Sequence, residues 1–173
     1  MSIADSRIET ERLLPWPAAA AGDPGLAEVL AAVVPDLQQL CRDQWTLLGS
    51  AAARLVGAAV TVADLDVLTS ARDADGLATH WADRRQPDHA PADGDRFRSR
   101  FARYRFPGLP VEVMGGLEVF GAEGWQPLDI RETVHVELAG LRVPVPSIAE
   151  QIRVLACFGR PKDHRRAALL QAL

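Results

Sequence analysis

With 173 residues, 48% apolar and 24% charged, the chain has ordinary globular composition and the length of one well-cored domain. Its 19 basic against 23 acidic residues leave a net charge of −4, which argues against broad binding to nucleic-acid backbone, where a surplus of Lys and Arg on one face is needed. Cys41 and Cys157, far apart and without a His-Cys spacing, suggest neither a zinc site nor a disulfide framework, and no apolar run approaches the ~18 residues of a membrane span. A soluble protein of the reducing cytoplasm, with no membrane partner, is expected.

Residues 1–22 combine helix-compatible charges with Pro15, Pro17 and an alanine run, and are read as an N-terminal arm ahead of one domain over residues 23–173. Asp23-Pro24 then supplies an N-cap and a proline at the first helical position, and Leu26, Val29, Leu30 and Val33 recur at helical spacing. Pro35 is expected to interrupt this helix, with one or two further turns over residues 36–42 before a strand at 44–48.

Residues 49–69 are the most informative stretch. Gly49 lets the backbone approach a ligand closely, and Ser50 is placed to cap a short helix over residues 51–56, so that free N–H groups and the positive helix end would receive phosphate. The apolar run beyond it carries Asp64 and Asp66. In an extended strand the two project from one side, with Cα atoms about 6.5 Å apart. They can converge on one divalent cation, and like charges held that close need such a counter-ion to stay ionised together.

Residues 73–85 read as an amphipathic helix with Leu77, His80 and Trp81 on its buried edge, His80 being either a packed side chain or a ligand. Residues 86–95, QPDHAPADGD, lack periodicity and form an exposed loop of a length that often lies over sites. Residues 96–106, RFRSRFARYRF, follow as a strand. Its arginines either guard a solvated edge or line a nucleotide or an acidic acceptor, and a bulge near Ala102 reconciles its aromatic alternation. In the strand over residues 109–114, LPVEVM, Glu112 points away from Val111 and Val113, and a lone carboxylate there needs a partner. Glu118, beyond Gly115-Gly116, is the competing acid and is taken to lie off that strand. Residues 131–145 form a hairpin turning at Ala139-Gly140, with His135 toward solvent.

The C-terminal helices occupy residues 147–173. SIAE at 147–150 is a capping box for a helix carrying Ile148, Ile152 and Leu155 and stopping at Gly159. GRPKD follows at 159–163. Its Lys162 is the only lysine in a chain that otherwise uses arginine, which hints at a compact charge near phosphate, while Asp163 is a candidate cap.

Gly49-Ser50, the Asp64-Leu65-Asp66 triplet, Val111-Glu112-Val113 and GRPKD, in that order, resemble the signature of the nucleotidyltransferase superfamily. That superfamily includes aminoglycoside and lincosamide nucleotidyltransferases and the minimal nucleotidyltransferase domains of toxin–antitoxin systems. The resemblance covers residues 44–163. It departs from the family in having Val60-Thr61-Val62-Ala63 where many relatives carry Arg-x-Thr-x, and Glu112 where Asp is commoner. It implies an α+β fold, a mixed β-sheet core flanked by helices with a β-hairpin and C-terminal helices. The implied activity is Mg²⁺-dependent transfer of a nucleoside monophosphate from an NTP, expected to be ATP, to an acceptor hydroxyl. Asp64 and Asp66 would hold the metal. Glu112 would complete the metal site or take the acceptor's proton. Gly49 and Ser50 would hold the terminal phosphates, with Lys162 and Arg153, the latter in place of a family lysine, also at the nucleotide. An aminoglycoside-like small molecule suits an acidic protein as acceptor. The rival readings are a toxin-like enzyme acting on tRNA or protein and a partner-binding relative without turnover.

Overall fold

The computed structural model describes residues 12–91 and 93–173. From the N-terminal side they form β1 (Leu13–Pro15), α1 (Ala18–Ala21), α2 (Pro24–Leu40), β2 (Thr46–Leu48), α3 (Gly49–Leu55), β3 (Leu65–Thr69) and α4 (Ala71–His80). Then come β4 (Phe97–Tyr104), β5 (Val111–Gly121), β6 (Gly124–Pro127), β7 (Thr133–Leu138), β8 (Leu141–Pro146), α5 (Ile148–Phe158) and α6 (Pro161–Gln171). One sheet has the order β2-β3-β5-β4, with β6 folded back on the far end of β5; the other has the order β1-β7-β8. Strands β3 and β5 are parallel while β2 and β4 run antiparallel to their neighbours, so the sheet is mixed and the fold is α+β.

Helix α2 starts as its sequence dictates, with Asp23 Oδ1 accepting from the Leu26 N–H at 3.0 Å. It does not stop at Pro35 but runs on to Leu40. Pro35 lies on the exposed face, where water can take the carbonyl its ring frees, and the buried stripe Leu30, Val33, Val34, Leu37 continues across it. Apolar burial on both sides of the proline outweighs one lost backbone bond. Helix α4 is capped by Ser70 Oγ on the Asp73 N–H at 3.1 Å and buries Leu77. His80, expected on that edge, is exposed beside Asp36 at 3.4 Å, and Trp81 fills the core while its indole N–H donates to Asp36 at 2.7 Å.

Strand β5 corrects the sequence reading most. It continues through Gly115-Gly116 to Gly121, so Glu118 belongs to the same strand as Glu112. The glycine is needed because α4 crosses there: a Cβ on Gly115 would sit 2.4 Å from the Ala74 Cβ. The register with β4 shifts between Arg98 and Arg100, opposite these glycines, whereas Ala102 pairs regularly with Val113. The bulge therefore lies at the glycines and not near Ala102.

Ala139 and Gly140, both at positive φ, turn the β7–β8 hairpin as expected. Strand β1 pairs in parallel with β7, and Leu14 and Trp16 pack on the core, so residues 13–16 of the expected arm join the domain. Residues 1–11 of that arm lie outside the described residues. His135 is half-buried rather than turned to solvent. Ser147 Oγ accepts from the Glu150 N–H at 3.2 Å, and Gly159 at φ 67° ends α5. Among the described residues no helix is long and apolar enough to cross a membrane.

Candidate active site

The sheet register assembles the site. Asp66 on β3 lies opposite Leu48 on β2 and Glu112 on β5, so two acids from distant parts of the chain are lateral neighbours across a parallel pair. Asp64 precedes the strand by one residue. On the other side Gly49 has φ 67°, and a Cβ there would fall 2.2 Å from Asp66 Oδ2. The missing side chain at Gly49 thus leaves room for the chain's own Asp66 carboxylate. Gly49→Ala is expected to cost at least ~2 kcal/mol and lower Tm by about 5 °C in thermal denaturation, from combined left-handed strain and displacement of Asp66.

Electrostatics at this point are unusual. Burial pushes the Asp66 carboxyl up to about 8, the negative charges of Asp64 and Glu112 push the same way, and Arg166 and Lys162 oppose them. Lys162 and Arg166 lie four residues apart on α6, hence on one helix face. Burial pulls the Arg166 guanidinium below its usual range, while Asp163, Asp66 and Asp64 favour its charge.

Glu112 is tied from two directions. Arg103, directly opposite on β4, donates from Nη1 to Glu112 Oε1, and the same nitrogen lies 3.8 Å from Asp64 Oδ2. His89, from the loop before β4, places Nε2 3.1 Å from the same Glu112 oxygen, with its ring centroid 5.9 Å from that of Phe101. Of the five arginines in residues 96–106, Arg103 is the one that reaches the carboxylates. Arg98 pairs with Glu118 at 2.5 Å, Arg100 with Asp75 at 3.2 Å, and Arg96 donates to the Phe158 carbonyl. Glu118, the competing acid, is taken up by Arg98.

Other sequence-derived residues land differently. Ser50 is buried in the first turn of α3 and caps nothing; the N-cap is Leu48, with no side-chain bond. Arg153 binds Glu150 at 2.7 Å and the Asp129 carbonyl at 2.6 Å, and Arg166 rather than Arg153 acts on Asp66. Asp163 is fully buried and accepts from the Arg160 backbone N–H at 3.1 Å, from its Nε at 2.6 Å and from its Nη2 at 3.0 Å. Arg160 and Asp163 therefore fix the start of α6, leaving Lys162 exposed on it.

No protein-family model matches the sequence, and no curated protein matches it. Solved structures do. A candidate nucleotidyltransferase of Thermotoga maritima superimposes with a TM-score of 0.66 at 22% identity, over 79% of this chain and 87% of that one. The chain has the nucleotidyltransferase fold. The lincosamide antibiotic adenylyltransferase LnuA, solved with lincomycin bound, gives a TM-score of 0.54 at 11% identity, over 82% of this chain and 94% of that one. An antigenic nucleotidyltransferase-like protein of Paracoccidioides brasiliensis gives 0.48 at 16% identity, over 84% and 75%.

The nucleotidyltransferase resemblance implies a divalent cation at the aspartates, and the donor set tests whether one fits. Among the described residues, no three His, Cys, Asp or Glu side chains are placed to hold a metal ion together. Asp64 and Asp66 alone suit one: both are hard oxygen donors, and the burial and neighbouring negative charges that raise the Asp66 carboxyl are what a bound cation would offset. Glu112 does not complete the set while Arg103 and His89 hold its oxygen.

Proposed function

We propose that the chain is a nucleotidyltransferase that moves a nucleoside monophosphate from ATP to an acceptor hydroxyl and releases pyrophosphate. The observation that carries this reading is Glu112 standing beside Asp66 in the β3–β5 register, with Asp64 one residue before that strand and with Lys162 and Arg166 acting on Asp66. LnuA, an adenylyltransferase of the same fold, supports ATP as donor. In this reading Lys162 and Arg166 draw in phosphate oxygens, and Gly49 and Ser50 flank them with the first N–H groups of α3. A Mg²⁺ ion held by Asp64 and Asp66 would neutralise charge developing on the phosphate oxygens. Glu112 receives the acceptor's proton as its oxygen bonds to the α-phosphorus and the bond to the leaving pyrophosphate oxygen breaks. Arg103 positions Glu112 for that role. The free thiols of Cys41 and exposed Cys157 suit a reducing cytoplasm.

Labelled ATP with Mg²⁺ and, separately, amino-sugars, bulk tRNA or a cell lysate tests the proposal. Label is expected to move to one acceptor and to fail to move with Asp64→Ala. Label moving to none of them, with the fold intact, would favour the non-catalytic binding protein over both the small-molecule and the toxin-like enzyme.

A further inference from the structure

A groove of about 650 Å³ leads to Glu112: His89 and Arg103, which both touch that carboxylate, line it together with Asp88, Arg105 and Phe106. Arg84 stacks over the Phe106 ring at 4.6 Å, and Arg85 bridges to Tyr104 at the same end of β4. In a chain of net charge −4, the groove lining sets Arg103 and Arg105 against Asp88. Arg98 and Arg100, farther along β4, are each matched by a carboxylate, whereas among the described residues Arg105 has none. Guarding a sheet edge does not require unmatched charge beside a cavity. Phe106 adds a flat, apolar wall.

We infer that this groove is the acceptor's site, and that it takes a hydroxyl compound carrying a phosphate group. The inference rests on nucleotidyl transfer at Glu112 and names the acceptor's chemical class. The phosphate would lie on the Arg105 guanidinium beside Arg103, with the reacting hydroxyl toward Glu112. A polycationic amino-sugar would meet like charge, which reverses the acceptor expected from net charge alone.

Chemical-shift titration of the arginine Nε–H signals with ribose 5-phosphate, ribose and kanamycin tests this. Ribose 5-phosphate is expected to shift the Arg103 and Arg105 signals and to bind at least about tenfold more weakly to Arg105→Glu, or to the milder Arg105→Gln should the first not fold. Ribose and kanamycin should leave those signals in place. Unchanged phosphate binding in the Arg105 variant, or kanamycin binding more tightly than ribose 5-phosphate, would overturn the inference. Phosphate binding lost in Lys162→Ala but kept in the arginine variants would assign the probe to the nucleotide side and also overturn it. Binding of a non-hydrolysable ATP analogue, measured separately, fails only if the transferase reading itself fails.

Discussion

At pH 8 without divalent cation, Asp66→Asn is expected to melt about 5–10 °C above the wild type, while in saturating Mg²⁺ its nucleotidyl transfer falls by roughly a thousandfold or more. The cause is the carboxyl raised to about 8 from an ordinary 3.8, first by burial and then by Asp64 and Glu112. A carboxyl raised on folding binds its proton more tightly in the native state, so unfolding releases a proton between about pH 4 and pH 8. Wild-type stability therefore falls as pH rises through that window, by up to about 1.4 kcal/mol per pH unit, and the asparagine variant lacks this slope. The gap in Tm should close toward pH 4. Saturating Mg²⁺ should close it at pH 8, since a cation at Asp64 and Asp66 relieves the same excess charge. Thermal melts over this pH range, with and without Mg²⁺, give the answer. Equal pH slopes for the two proteins would show that Asp66 is not the strained group.

Arg103→Ala should cost about 2 kcal/mol, or 4–8 °C in Tm, because it leaves the largely buried Glu112 with His89 alone. Glu112→Gln should lower transfer by about 10²–10⁴-fold with nucleotide affinity unchanged, as loss of a proton acceptor does. Combining the two should restore half or more of the stability lost in Arg103→Ala, since a neutral amide does not require a cation opposite it. Melts of the four proteins separate this coupling from simple loss of packing, which would add without recovery. A Glu112→Gln enzyme with near-normal turnover would remove Glu112 from the chemistry and leave it a structural partner of Arg103.

The sequence reads well where local rules set the structure. The Asp23-Pro24 start of α2, the Ala139-Gly140 hairpin, the Ser147 cap and the Gly159 stop each follow from a few adjacent residues. It reads badly where tertiary contact decides. Pro35 stays inside α2 because a buried stripe spans it, and Gly115-Gly116 stay inside β5 because α4 needs the room. The Asp pair and the separate Glu112 were legible as acids in apolar strands, but their adjacency is a property of the β3–β5 register, which no single segment contains. Arg103 was hidden among five similar arginines and His89 in an aperiodic loop, so only cross-strand pairing singles them out. Arg166 had one available signal: it stands one helical turn beyond Lys162. Equivalence to a family lysine says nothing of Glu150, the nearer partner that captures Arg153.

Calorimetric titration of a non-hydrolysable ATP analogue with Mg²⁺ into wild type and Asp66→Asn at pH 8 probes the carboxylate cluster most directly. The wild type should bind the nucleotide only when Mg²⁺ is present, and the variant should bind it at least about a hundredfold more weakly. Equal affinities, or binding indifferent to the cation, would contradict a site built on Asp64, Asp66 and their neighbours.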